Sequence, residues 1–230
     1  MYKYTLILTF LIIGIISISA GSLITDNSVS IKNTTLGSND NGTVNKIVYS
    51  SKNMPDRKIA IISGMHPRET LSKNVSQDAA RRYALSDKVN IVNYVIEVNE
   101  NQDNILAGRN KGESLVSDYI IPDIAKSGYE VVIICHDHKP SYGEGFYVAT
   151  PTMDAKTLDL ANKFRTISPE YKYCERDPDK IAKSKSISKV DAPIAATGTP
   201  IFVYEIPEWN GYNESYDITY KLIDTAFKVQ

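Results

Sequence analysis

Apolar residues in this chain come in short β-branched runs separated by stretches with helical spacing. The runs predict strands at Lys46–Ser50, Lys58–Ser63, Val89–Val98, Glu130–Cys135, Gly145–Thr150 and Pro200–Ile206. Between them, apolar positions spaced three or four apart predict helices at Thr70–Leu85, Gly112–Ser127, Asp154–Ile167 and Glu214–Lys228. Alternation of this kind is the signature of an α/β domain, here a three-layer α/β/α arrangement around a central mixed, largely parallel sheet. There is no internal repeat and no second domain. The stretch Pro178–Thr197 carries Lys180, Lys183, Lys185 and Lys189 among serines, which reads as a solvated loop or exposed helix leading into the last strand.

The first residues follow a different pattern. From Tyr4 to Ala20 there is no charge and the side chains are mostly Leu, Ile, Phe and small residues, with Lys3 ahead of them. Residues 1–21 are therefore expected to be a secretory signal peptide or, at this length, an uncleaved N-terminal membrane anchor. Residues 22–44 turn to Ser, Thr, Asn, Asp and Gly, expected to form a polar linker, which leaves 45–230 as the folded domain. Either reading of the N-terminus places that domain outside the cell or on its surface. Asn-x-Ser/Thr sites at Asn33, Asn41, Asn74 and Asn213 agree with export. Cys135 and Cys174 could pair there, or Cys135 could be a core thiol.

Composition narrows the function. The 230 residues are 42% hydrophobic and 23% charged, enough for one ordinary core. A formal net charge of -1 argues against nucleic acid as a partner, because phosphate binding relies on clustered positive charge.

The chemistry gathers at strand ends. His66-Pro67-Arg68-Glu69 follows the apolar run Lys58–Ile62 and precedes a helical pattern, the position where open α/β sheets bind ligands. Pro67 is suited to open that helix, and an imidazole and a carboxylate three residues apart can then supply two ligands of a His₂Glu zinc site. The chain has 3 histidines, and the other two, His136 and His138, directly follow the strand Glu130–Cys135. His136 could complete the site, with His138 as the alternative ligand. Glu205 ends the apolar run Ile201–Tyr204 at a third strand terminus, and is either the general base that zinc chemistry needs or a surface carboxylate paired with a lysine. No Gly-x-Ser-x-Gly turn is present to suggest a serine hydrolase.

In this order, His66-x-x-Glu69, His136 and Glu205 resemble the zinc carboxypeptidases of the M14 type and their relatives, the succinylglutamate desuccinylases and aspartoacylases. The resemblance spans about residues 45 to 230. It implies a zinc-carboxypeptidase-like fold, one Zn²⁺ per chain held by His66, Glu69 and His136, and Glu205 as the catalytic base. It also implies that Arg109, within Asn99–Asn110, polarises a carbonyl or anchors a substrate carboxylate, with Asn110 and Tyr142 beside the substrate; Arg109 could equally be a surface arginine at a helix entry. The activity implied is hydrolysis of an amide bond, and export favours a peptide or cell-wall peptide substrate. One departure matters: many members carry an aspartate two residues before the second histidine, where this chain has Ile134. A surface binding module that keeps the fold with weak or no catalysis is the alternative.

Overall fold

The computed structural model describes residues 28–53, 56–99, 104–175 and 185–230; the apolar segment 4–20 lies outside them. The strands are β1 (Val29–Asn39), β2 (Gly42–Ser51), β3 (Lys58–Ser63), β4 (Asn90–Val98), β5 (Val132–His138), β6 (Tyr147–Thr150), β7 (Lys172–Glu175) and β8 (Ile201–Pro207). They form one sheet in the order β1-β2-β4-β3-β5-β8-β6-β7. Pairing is parallel along β4-β3-β5-β8 and for β6 with β7, and antiparallel for β1-β2, β2-β4 and β6-β8.

β3 and β5 are buried along nearly their whole length, and a strand with no polar face must be covered on both sides. Ile59 and Ile61 belong to the core layer that helices α1 (Thr70–Asp87), α4 (Ala155–Ile167) and α6 (Tyr212–Lys228) fill on one side of the sheet. The alternate residues Ala60 and Ile62 meet the other layer. It is built from α2 (Ile105–Leu115), a π-helical turn at Val116–Ile120 and α3 (Ile121–Ile124), then a second π-helical turn at Ile187–Asp191 and α5 (Ala192–Ala196). The architecture is thus the expected three-layer α/β/α sandwich around a mixed sheet. No helix among the described residues is long and apolar enough to cross a membrane.

Three expectations change. Residues 29–39, read as part of a polar linker, are β1, paired with β2 through a tight turn at residues 40–41. An antiparallel edge strand is held by main-chain hydrogen bonds and can leave most side chains in water, so its composition hid it. The helix expected from Gly112 starts at Ile105, where the Asn104 side chain accepts the Ala107 N–H as an N-cap. Its two internal glycines had weakened that signal. Finally, Cys135 is buried on β5 and Cys174 exposed on β7, both as free thiols. β8 and β6 lie between those strands, a separation of roughly 14 Å that no disulfide spans.

The topology sets up a binding crevice. From β3 the chain passes through α1 to β4 on one side, whereas β5 lies on the other side of β3. The C-terminal ends of β3 and β5 therefore flank a point where the winding reverses, and ligands of open α/β sheets bind there.

Candidate metal centre and cleft

The β3–α1 connection is shaped by close packing. Gly64 has φ of 78°, and a Cβ there would lie 2.5 Å from the Ile96 carbonyl oxygen, so only glycine lets the chain turn this tightly off the strand. Pro67 does not open the helix. It lies in a turn closed by the Glu69 N–H and the His66 carbonyl, and α1 begins at Thr70.

Glu69 occupies the N-cap position of α1, yet its side chain caps nothing. Its carboxylate bridges the two histidines, with Oε1 2.7 Å from His66 Nδ1 and Oε2 2.6 Å from His136 Nδ1. The open helix terminus is served from another strand: Asp137 of β5 accepts the N–H groups of Leu71 at 3.0 Å and Ser72 at 2.7 Å. This borrowed cap frees Glu69 for the cluster. Asp137→Ala should cost about 1–2 kcal/mol of folding stability, the usual worth of an N-cap, read as a lower urea midpoint with unchanged slope.

One ligand atom each from His66, Glu69 and His136 lies within 4.8 Å of the others. Both histidines are buried, their rings 4.6 Å apart between centroids. Two imidazole nitrogens and a carboxylate oxygen converging in a buried pocket are the donor set of a three-ligand zinc site with a position left for water or substrate, and the residues present fit such an ion.

Charge is shared unequally. For Glu69, burial pushes the pKa up, but the two histidines outweigh it and hold the carboxyl at about 2. Burial would lower His136, yet the charge and hydrogen bond of Glu69, with Glu205 and Asp191, raise it to about 9. His66 is lowered, chiefly by burial. In metal-free protein the Glu69–His136 pair thus stabilises the fold fully between about pH 4.5 and 6.5; the contribution is lost as pH rises through about 9, where His136 deprotonates, and as pH falls toward about 2, where Glu69 protonates. A zinc ion held by this cluster would have to displace the His136 proton, so apparent zinc affinity is expected to climb about tenfold per pH unit up to pH about 9 and then level off, as checked by chelator competition.

Glu205 on β8 stands opposite His136 of β5 in the parallel register, so the two side chains leave the same face of the sheet. Both open into a cleft of about 750 Å³, also lined by Arg109, Tyr142, Ser186 and Asp191. Tyr142 is 76% exposed at the rim. Asn110, expected beside the substrate, is exposed on α2 and is not among the cleft-lining residues; its carbonyl accepts from Lys189 and Ser114.

His138 lines the cleft but is engaged elsewhere. Its Nδ1 lies 3.1 Å from the Lys139 carbonyl and its Nε2 2.9 Å from that of Gly145, with Tyr147 and Trp209 against its ring. Two further acids were not singled out from sequence. Glu113 of α2 is buried with its carboxylate 4.0 Å from His66 Nε2, and Asp191, also buried, ends the second π-helical turn at the cleft. In sequence both look like ordinary acids of an exposed helix or loop, and nothing local distinguishes them.

The sequence matches no family model and no curated protein. Solved structures do match its shape. A metallo-carboxypeptidase from Pseudomonas aeruginosa superposes with a TM-score of 0.57 at 11% identity, over 87% of this chain and 65% of that one. An aspartoacylase family protein from Mesorhizobium loti gives 0.53 at 10% identity, over 88% and 67%. The fold is that of the metallocarboxypeptidases and aspartoacylases. A cell shape determinant protein from Helicobacter pylori gives 0.50 at 11% identity, over 86% of this chain and 55% of that one. This chain spans 65% of the length of that metallo-carboxypeptidase and 55% of that of the cell shape determinant protein, less than two thirds of either. Within this metallocarboxypeptidase-like fold, the His66–Glu69–His136 cluster sits at the reversal point of the sheet, and Glu205 lies one strand away.

Proposed function

We propose that this chain is a zinc-dependent amide hydrolase of the metallocarboxypeptidase type, acting outside the cell on a peptide or cell-wall peptide. The observation that carries the reading is the convergence of His66, Glu69 and His136 beside an in-register Glu205 at the floor of one cleft. Zinc held by those three side chains would supply a Lewis acid and lower the pKa of a bound water. Glu205 takes the proton from the attacking water and returns it to the leaving amine. Arg109 donates paired N–H groups to the carbonyl oxygen or to the terminal carboxylate of the substrate. Tyr142 walls the mouth of the cleft.

The charge-free segment 4–20 and the Asn-x-Ser/Thr sites support export, as secreted or membrane-anchored protein. A polymer outside the cell then becomes the natural substrate, and the likeness to a cell shape determinant protein agrees with a wall peptide. Protein reconstituted with one equivalent of zinc, assayed on peptides and wall fragments with free or amidated C-termini, should cleave the free-carboxylate set. A chelator should abolish the activity and added zinc restore it. Zinc-loaded protein that binds these fragments and hydrolyses none of them would be a binding module.

A further inference from the structure

We propose that Glu113 is the positioning carboxylate of His66, steadied by the Ser186 hydroxyl; this rests on the metal-site reading above. His66 Nε2 is buried and has no hydrogen-bond partner; once Nδ1 serves as a metal ligand the ring proton resides on Nε2, and an unmet buried donor costs roughly 1–3 kcal/mol. The carboxylate facing it is that of Glu113, with Oε1 4.0 Å away and a side chain 5% exposed. A buried carboxylate is itself expensive unless hydrogen-bonded or paired. The Ser186 hydroxyl offsets part of that cost, and an N–H from His66 would offset more.

The approach is enforced by the backbone. Gly112 packs on the β3–α1 connection so closely that a Cβ would lie 1.7 Å from the Met65 carbonyl oxygen. No side chain fits there, and the next residue along α2 is brought beside His66. From the far side, the Ser186 hydroxyl donates to Glu113 Oε1. Arg109 Nη2 lies 3.5 Å from the same hydroxyl oxygen, so a chain of contacts runs from Arg109 through Ser186 and Glu113 to His66.

A histidine that ligates a metal through one nitrogen is oriented and made more basic when its other N–H donates to a carboxylate. In this chain Ile134 stands where a supporting aspartate would precede His136, and Glu113 brings a carboxylate to His66 from a different element. At 4.0 Å the pair is longer than a hydrogen bond, and a shift of about 1 Å closes it.

The test is the zinc dissociation constant, measured by competition with a chromogenic chelator, for wild type, Glu113→Gln and Ser186→Ala. The absorption spectrum of the cobalt-substituted proteins reports the ligand field directly. Glu113→Gln should weaken zinc binding about 10- to 100-fold and shift the cobalt bands, and Ser186→Ala should act in the same direction by a smaller factor. In chelated protein, Glu113→Gln should leave the urea midpoint unchanged or raise it, since it removes a buried charge; a purely structural role would lower it. Should Glu113→Gln not fold, Ser186→Ala decides, because it leaves the carboxylate in place. Wild type that takes up zinc while the folded variants bind it equally well overturns this assignment alone. Wild type that takes up no zinc overturns the metal-site reading beneath it.

Discussion

Replacing Glu69 with alanine should abolish stoichiometric zinc binding while the protein stays folded. This carboxylate is the hub of the cluster, 2.7 Å from one imidazole and 2.6 Å from the other, and the two histidines keep it ionised down to about pH 2. Loss of a ligand should exceed the roughly 10- to 100-fold penalty that removing an outer partner brings. Metal analysis after equilibrium dialysis against one equivalent of zinc should therefore find about one ion in wild type and almost none in the variant. The fold survives for two reasons. The N-terminus of α1 is capped by Asp137 rather than by Glu69. His136 can also shed the proton that the Glu69 charge holds on it, so no unpaired buried cation remains. Retained zinc in a folded Glu69→Ala protein would show that the three side chains are not the ligands.

The second large effect is on turnover. Glu205→Gln keeps the size of the side chain and its place opposite His136, and removes the capacity to accept a proton. Hydrolysis should fall about 10²- to 10⁴-fold, the usual worth of a general base, with the change in kcat and little in KM. Zinc content should match wild type, which separates this variant from Glu69→Ala. Equal rates for the two zinc-loaded proteins on every cleaved substrate would remove Glu205 from the base role. A readout of both metal and rate thus assigns the two carboxylates to different tasks.

Much of this arrangement can be read from local pattern. The buried central strands announce themselves by unbroken apolar runs, and β3 matches its predicted span from Lys58 to Ser63. Candidate ligands stand out because the chain has so few histidines and all follow such runs. β1 escapes the same reading because an edge strand hydrogen-bonds through its backbone and needs no apolar face. The choice between His136 and His138 also escapes it. They are two residues apart and share a face, so periodicity treats them alike; depth in the sheet separates them. His136 is level with Glu69, whereas His138, about 6.6 Å further along the strand, is taken up by the carbonyls of Lys139 and Gly145.

The sequence by itself determined the layered α/β class, the strand ends where chemistry collects and the identity of His66, Glu69, His136 and Glu205 as candidates, because each depends on neighbours a few residues away. Tertiary structure alone decided that Asp137 caps α1, that the Asn110 carbonyl is taken up by Lys189, and that Glu113 approaches His66. Those contacts join residues dozens of positions apart. They follow from how closely α2 can approach the β3–α1 connection at Gly112, and from which strand the chain lays beside β3, neither of which any local pattern records.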